Sequence, residues 1–350
     1  MLFAATQFPG FSIGASLRSQ SLLNLSKDEL GREFADFGEP SFRARQIWRA
    51  VYREANSSFD EMTNLPRRLR TFLSEKFCIN PLKTVLTLNS RDGSTDKMLF
   101  RLQDGQLIET VLMRYEADGH RNARSTVCIS TQAGCALGCT FCATGQQGFV
   151  RNLSSGEIVA QVLHIIRSAR LDGAHQRVNS ERKPVTNVVF MGMGEPLANF
   201  ERVVRAIQIL CAKWGLGISA RRITISTVGL PAQIRRLAQV KPSVTLAISL
   251  HAPNDQLRRQ IIPWAQFVRI DQIIESARFY FAHTGREITL EYILLRHEND
   301  RPEHAQQLAK IARTLRSNVN LIRYNEVRGL PYERPTDDDV HRFQAILLGA

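Results

Sequence analysis

The sequence predicts an α/β protein whose larger part is an open, partial barrel of six β/α units. Three observations predict it. From residue 125 onward strand-like and helix-like segments alternate, which implies parallel strands joined by right-handed crossovers. Six units are too few to close an eight-fold barrel. Ahead of them, residues 83–130 alternate with a two-residue period, and residues 25–77 carry helical periodicity. The expected division is a disordered tail at 1–22, a helical accessory domain at 23–80, a β-meander at 81–124 and the partial barrel at 125–350.

Met1 to Gln20 contain no acidic residue and one Arg, Arg18. One basic residue is poor support for an organellar presequence. The first helix is expected after Asn24 or Ser26 as cap, with Asp28 and Glu29 in its first turn. Gly38-Glu-Pro40 ends it. Phe42, Ile47, Trp48, Val51 and Tyr52 then recur at helical spacing, interleaved with Arg43, Arg45, Arg49 and Arg53. A further short helix is expected around Met62 to Arg68. Strands follow at 84–88, 97–102, 107–113 and 125–130, with Asp-Gly turns after Arg91 and Gln103. In the barrel, helices are expected at 154–167, 200–214, 230–239, 270–284 and 302–316. The first carries a capping box, Ser154 with Glu157. Strands are expected at 185–191, 222–227, 244–250, 287–294 and 319–324, and a polar loop at 171–184.

Hydrophobic residues make up 43% of the chain and charged residues 23%, the balance of a soluble globular protein. No stretch is apolar for the length of a membrane helix, and a cytoplasmic location is the expectation. Lys and Arg outnumber acids 46 to 33, a formal charge of +13. That excess favours a polyanionic partner, because phosphate contacts release counterions; a basic solvated surface is the alternative. Six cysteines in 350 residues are too sparse for a disulfide scaffold.

Three of those cysteines, Cys135, Cys139 and Cys142, stand in C-x3-C-x2-C spacing among Gly134, Gly138 and Gly145. Four thiolates fill an iron–sulfur cubane; three leave one iron open for chemistry on a bound molecule. Zinc, with Cys128 or a histidine as fourth ligand, is the competing reading. In an α/β barrel the site lies at the carboxyl ends of the strands. Polar residues fall there: Gly194-Glu195 after one strand, Ser226 at the next, Ser249 and His251 at a third, and Asn325 after the last. Glu109 is a carboxylate in an apolar strand, which by pattern alone reads as a wet face.

The three-cysteine run resembles the cluster loop of the radical S-adenosylmethionine (SAM) enzymes. The longer run from Gln132 to Leu153 resembles one branch of them, the RlmN/Cfr-type adenosine methyltransferases of ribosomal and transfer RNA. This resemblance implies a [4Fe-4S] cluster held by Cys135, Cys139 and Cys142, whose open iron chelates SAM. An electron from the cluster then cleaves the sulfonium to a 5′-deoxyadenosyl radical. It implies SAM contacts at Gly194, Glu195, Ser226, Ser249, His251 and Asn325, and a proton acceptor at Glu109. It implies methylation of adenine at carbon 2 in 23S rRNA and tRNA through a methyl-cysteine, with Cys128 as the resolving cysteine that closes a disulfide and releases the product. RNA contact by the accessory helices, an electron donor such as flavodoxin or ferredoxin, and a monomeric enzyme complete the expectation.

One departure stands out. The family's methyl-carrying cysteine lies in a short stretch after a helix like Asp337 to Leu348, and no cysteine follows Cys211 here. The expectation is a truncated version of a complete enzyme, able to cleave SAM but not to complete methylation. Methylation at carbon 8, another radical SAM reaction without a carrier, and a zinc-stabilised RNA-binding protein stay open as alternatives. Cys78 and Cys211 read as core residues.

Overall fold

The computed structural model describes residues 20–119, 122–171 and 183–350. The expected polar loop at 171–184 lies largely outside them, as does the tail from residue 1 to 19. Gln20 to Leu22, expected in that tail, belong to the folded chain. Gln20–Ser21 (β1) pairs in parallel with Phe77–Cys78 (β2), and Leu22 and Leu23 are fully buried.

The accessory helices run Lys27–Asp36, Phe42–Trp48 (continued to Arg53 by a wider turn) and Arg67–Lys76. Ser26 caps the first: its hydroxyl accepts from the Glu29 N–H, and the Glu29 carboxylate accepts from the Ser26 N–H. The third starts later than its sequence suggested. Pro66 stands at its N-cap, and Met62 to Leu65 form turns whose apolar side chains are buried.

The antiparallel strands Lys83–Asn89 (β3), Thr95–Arg101 (β4) and Leu107–Tyr115 (β5) lead into Arg124–Cys128 (β6). A short hairpin, Gln132–Gly134 (β7) with Phe149–Asn152 (β8), brackets the cysteine loop. Asn187–Phe190 (β9), Ile223–Thr227 (β10), Thr245–Ser249 (β11), Ile288–Leu294 (β12) and Ser317–Arg323 (β13) follow, each separated by helix. One nine-stranded sheet results, ordered β13-β12-β11-β10-β9-β6-β5-β4-β3. Its six parallel members, β6 and β9 to β13, are the expected open half-barrel, and β5 to β3 extend it antiparallel. β9 to β12 are largely buried, their Val, Ile and Leu alternating with Thr, Ser, Ala and other residues. One continuous apolar core joins the accessory helices (Leu30, Phe34, Trp48), the strands (Val188, Leu246) and the last helix, Asp337–Gly349, through Phe343.

Candidate active site at the strand ends

The cysteine loop is held by the strands beside it. The Cys135 N–H donates to Gly148 O at 2.8 Å across the hairpin. Gly134 makes that approach possible: its φ is +75°, and a Cβ there would collide with Gly148 O. Below the loop, Gln161 pairs with the backbone of Ser130, accepting from its N–H at 2.8 Å and donating to its carbonyl at 2.9 Å. Asn199 donates to Thr131 O and Leu153 O. The helix Ser155–Leu171 begins with the expected capping box, Ser154 with Glu157, and Arg151 grips the same Glu157 carboxylate with both Nη atoms.

Cys135, Cys139 and Cys142 lie within electrostatic reach of one another. Burial pushes the Cys135 thiol up to about 11 and the Cys139 thiol up to about 12, and the neighbouring thiolates add to both. Among the described residues no three His, Cys, Asp or Glu side chains converge as they would on a single metal ion. A tetrahedral zinc needs its sulfurs about 4 Å apart, given Zn–S of about 2.3 Å. The iron–sulfur core is broader, and three coupled thiols on one glycine-rich loop suit it better than a lone ion. When bound, such a cluster requires deprotonated ligands.

The strand-end residues gather over this loop. Phe141, between Cys139 and Cys142, packs edge-on against His251 with ring centroids 5.3 Å apart. His251 has φ +59°, left-handed for a residue with a Cβ. Its Nδ1 accepts from the Ile293 N–H at 3.1 Å, so the neutral ring carries its proton on Nε2. Burial, helped by the Arg258 charge, lowers its pKa to about 3. Ser226 Oγ and Ser249 Oγ are 3.0 Å apart on β10 and β11. Gly194, at φ +98°, lies against Gln132, whose Oε1 accepts from the Glu195 N–H at 2.8 Å.

The Glu195 carboxylate accepts from the Leu197 N–H at 2.9 Å and the Val228 N–H at 2.8 Å, tying the end of β9 to the end of β10. Burial pushes its pKa up to about 7, against those two bonds.

Cys128 ends β6, paired with Val111 on one side and Val189 on the other. Burial pushes its thiol up to about 12, and the nearby Glu109 carboxylate adds to this. Glu109 itself is ion-paired with Lys97 at 2.8 Å, both side chains about one-third exposed. Asn325 is exposed beyond β13, where Oδ1 lies 3.5 Å from Arg334 Nη1; among the described residues no hydrogen bond joins it to the serine pair or to His251.

Two buried residues here had passed unremarked in the sequence. Glu291 on β12 pairs in register with Ser249 and accepts from Asn320 Nδ2 at 2.6 Å. A carboxylate in Thr-Leu-Glu-Tyr-Ile-Leu is the same signal that marked Glu109. Arg258 lies in a short helix, Asp255–Ile261, in the crossover from β11 to β12. It had no motif to announce it.

Residues 129–309 match the family model described as the radical SAM superfamily, slightly more than half of the chain. Residues 20–79 match the ribosomal RNA large subunit methyltransferase N-terminal domain. The chain belongs to the RlmN family of radical SAM RNA methyltransferases. A dual-specificity RNA methyltransferase RlmN from Lawsonia intracellularis is 43% identical over 88% of this chain and 84% of its own length. A ribosomal RNA large subunit methyltransferase N from Nitrosopumilus maritimus is 42% identical over 93% and 91%. The crystal structure of a radical SAM methyltransferase from Sphaerobacter thermophilus superposes with a TM-score of 0.88 at 44% identity, covering 94% of this chain and 92% of that one. Enzymes of this family use a [4Fe-4S] cluster and SAM.

Proposed function

We propose that this protein methylates carbon 2 of adenine in 23S rRNA and tRNA. The observation that carries the reading is the Phe141–His251 contact, which sets the three-cysteine loop against the ends of the parallel strands. In this reading Cys135, Cys139 and Cys142 ligate the cluster, which supplies the electron that cleaves the SAM sulfonium. The backbone of Gly194 and Glu195, the Ser226–Ser249 hydroxyl pair, His251 and Asn325 bind and orient SAM. His251, neutral and with Nε2–H free to donate, offers a fixed hydrogen bond rather than a charge. Glu109 accepts a proton and Cys128 is the resolving thiol. Lys97 holds the Glu109 carboxylate in place through their 2.8 Å ion pair. The Cys128 thiol needs a base, and Glu109 is the carboxylate whose field it feels. The basic balance of the chain suits RNA, a cytoplasmic location and a small electron-transfer protein such as flavodoxin or ferredoxin as donor, with the enzyme acting as a monomer. Among the described residues no helix is long and apolar enough to cross a membrane.

The test is anaerobic reconstitution with iron and sulfide, followed by dithionite and SAM. A brown protein that forms 5′-deoxyadenosine is expected, and Cys→Ala at position 135, 139 or 142 abolishes both. A colourless protein holding zinc would sink the enzymatic reading. The family's methyl-carrying cysteine matches no residue of this chain, whose last cysteine is Cys211; 5′-deoxyadenosine is therefore the product to read first. Methylated adenine formed by these 350 residues would show that no such carrier is needed. Mass spectrometry against both standards separates carbon 2 from carbon 8.

A further inference from the structure

Arg258 is fully buried, yet among the described residues it makes no ion pair. Asp255, three positions earlier, turns away to accept from the Ile270 N–H at 2.8 Å. The guanidinium donates through Nε to Leu250 O at 3.1 Å and through Nη2 to Val228 O, with Ser249 O at 3.5 Å. Its Nη1 has no partner among the described residues. Asp255 adds its charge from a distance but no hydrogen bond, and a buried cation without a full set of acceptors is costly, so something more at this position compensates it.

The surroundings indicate what does. The carbonyls that Arg258 holds belong to the β10 and β11 ends, next to Ser226, Ser249 and His251. The helix carrying it ends at Ile261, whose carbonyl accepts from the Thr140 N–H at 3.0 Å, inside the cysteine loop. Cys139 and Cys142 pack against the same apolar cluster as Val228, Ile261 and Ile262. Val228, whose carbonyl Arg258 holds, is thus shared between the guanidinium and the apolar packing of the cysteine loop.

We propose that Arg258 is the counter-charge of the cluster held by Cys135, Cys139 and Cys142, and that it raises the potential at which that cluster accepts an electron. This rests on the assignment of those three cysteines as ligands. Three thiolates leave the cluster net anionic, and one electron from a low-potential donor adds one further negative charge. A fixed cation stabilises the reduced state more than the oxidised one. Arg258 is thus a positioning and tuning residue, which touches neither SAM nor RNA.

The test compares Arg258→Lys and Arg258→Gln with the wild type after anaerobic reconstitution, reading iron and sulfide content and the midpoint of a dithionite titration followed by electron paramagnetic resonance. Arg258→Lys keeps the charge and is expected to hold its cluster at the wild-type midpoint. Arg258→Gln keeps a donor but loses the charge; its reduction equilibrium is expected to weaken at least tenfold, a shift of about 59 mV to more negative potential for one electron. Where the glutamine variant does not fold, Arg258→Met reads the same loss of charge. A glutamine or methionine variant with a full cluster at the wild-type midpoint overturns the proposal, as does a lysine variant shifted as far as they are. A wild-type chain that takes up no iron and sulfide overturns instead the cysteine assignment beneath it.

Discussion

Gly194 and His251 both take left-handed backbone just past strand ends, after β9 and after β11. At Gly194 a Cβ would lie 2.5 Å from Gln132 Cβ. Gly194→Ala is expected to cost about 1–3 kcal/mol, the strain of a residue held in a disfavoured region. It should also displace the Glu195 N–H from Gln132. Denaturant melts read the first effect and calorimetric titration with SAM the second; an alanine variant of wild-type stability and affinity would show that the loop relaxes freely. The residue types at this site were legible because glycine and cysteine spacing is a backbone and ligand code carried by local sequence. The use of Glu195 was not. Gly-Glu-Pro advertises a carboxylate near a turn, but the Val228 N–H that occupies it comes from another strand, 33 positions away.

The helices show how far local rules reach. Ser26 and Glu29 form the capping box their spacing predicts, and Arg205 joins Glu29 from the barrel. Hydrogen bonds from the Ser26 backbone and hydroxyl, with the Arg205 charge, hold the Glu29 carboxyl down at about 2. A carboxylate depressed in this way stabilises the fold fully above about pH 4.5, and that contribution fades as the pH falls toward 2. The group is partly exposed, so screening limits it to about 1 kcal/mol or less. Glu29→Gln should flatten the acid limb of stability between those values, measured by urea melts at several pH values. Phe343 is the one fully buried residue of the helix Asp337–Gly349, tilted against Tyr292 with ring centroids 5.4 Å apart, with Val340, Ile346 and Leu347 partly buried beside it. Phe343→Ala is expected to lose about 3–5 kcal/mol, with amide exchange in this helix rising first. One element that escaped sequence reading, Asp255–Ile261, is seven residues long. That is too short for periodicity to separate helix from loop, and it is helical because Asn254 caps it through the Leu257 N–H and Arg258 is anchored to three carbonyl positions.

At the scale of the molecule, a formal charge of +13 makes association with RNA salt-dependent. Filter binding to 23S rRNA or tRNA fragments is expected to weaken at least about tenfold between roughly 50 and 200 mM salt; an affinity flat across that range would mean that phosphate contacts contribute little. Alternating strands and helices mark the parallel sheet in the sequence, because a strand followed by a crossover helix returns to pair in parallel with the strand before it. The sequence by itself also determined the cysteine loop, the caps and the glycine turns, since each is closed by residues within a few positions of one another. Tertiary structure alone decided which strand ends meet, that Phe141 rests on His251, that the Glu195 carboxylate braces β10, and that Arg258 is buried against the Val228 carbonyl. Those contacts join residues tens to more than a hundred positions apart, and they exist only once the sheet has brought the ends of its strands side by side.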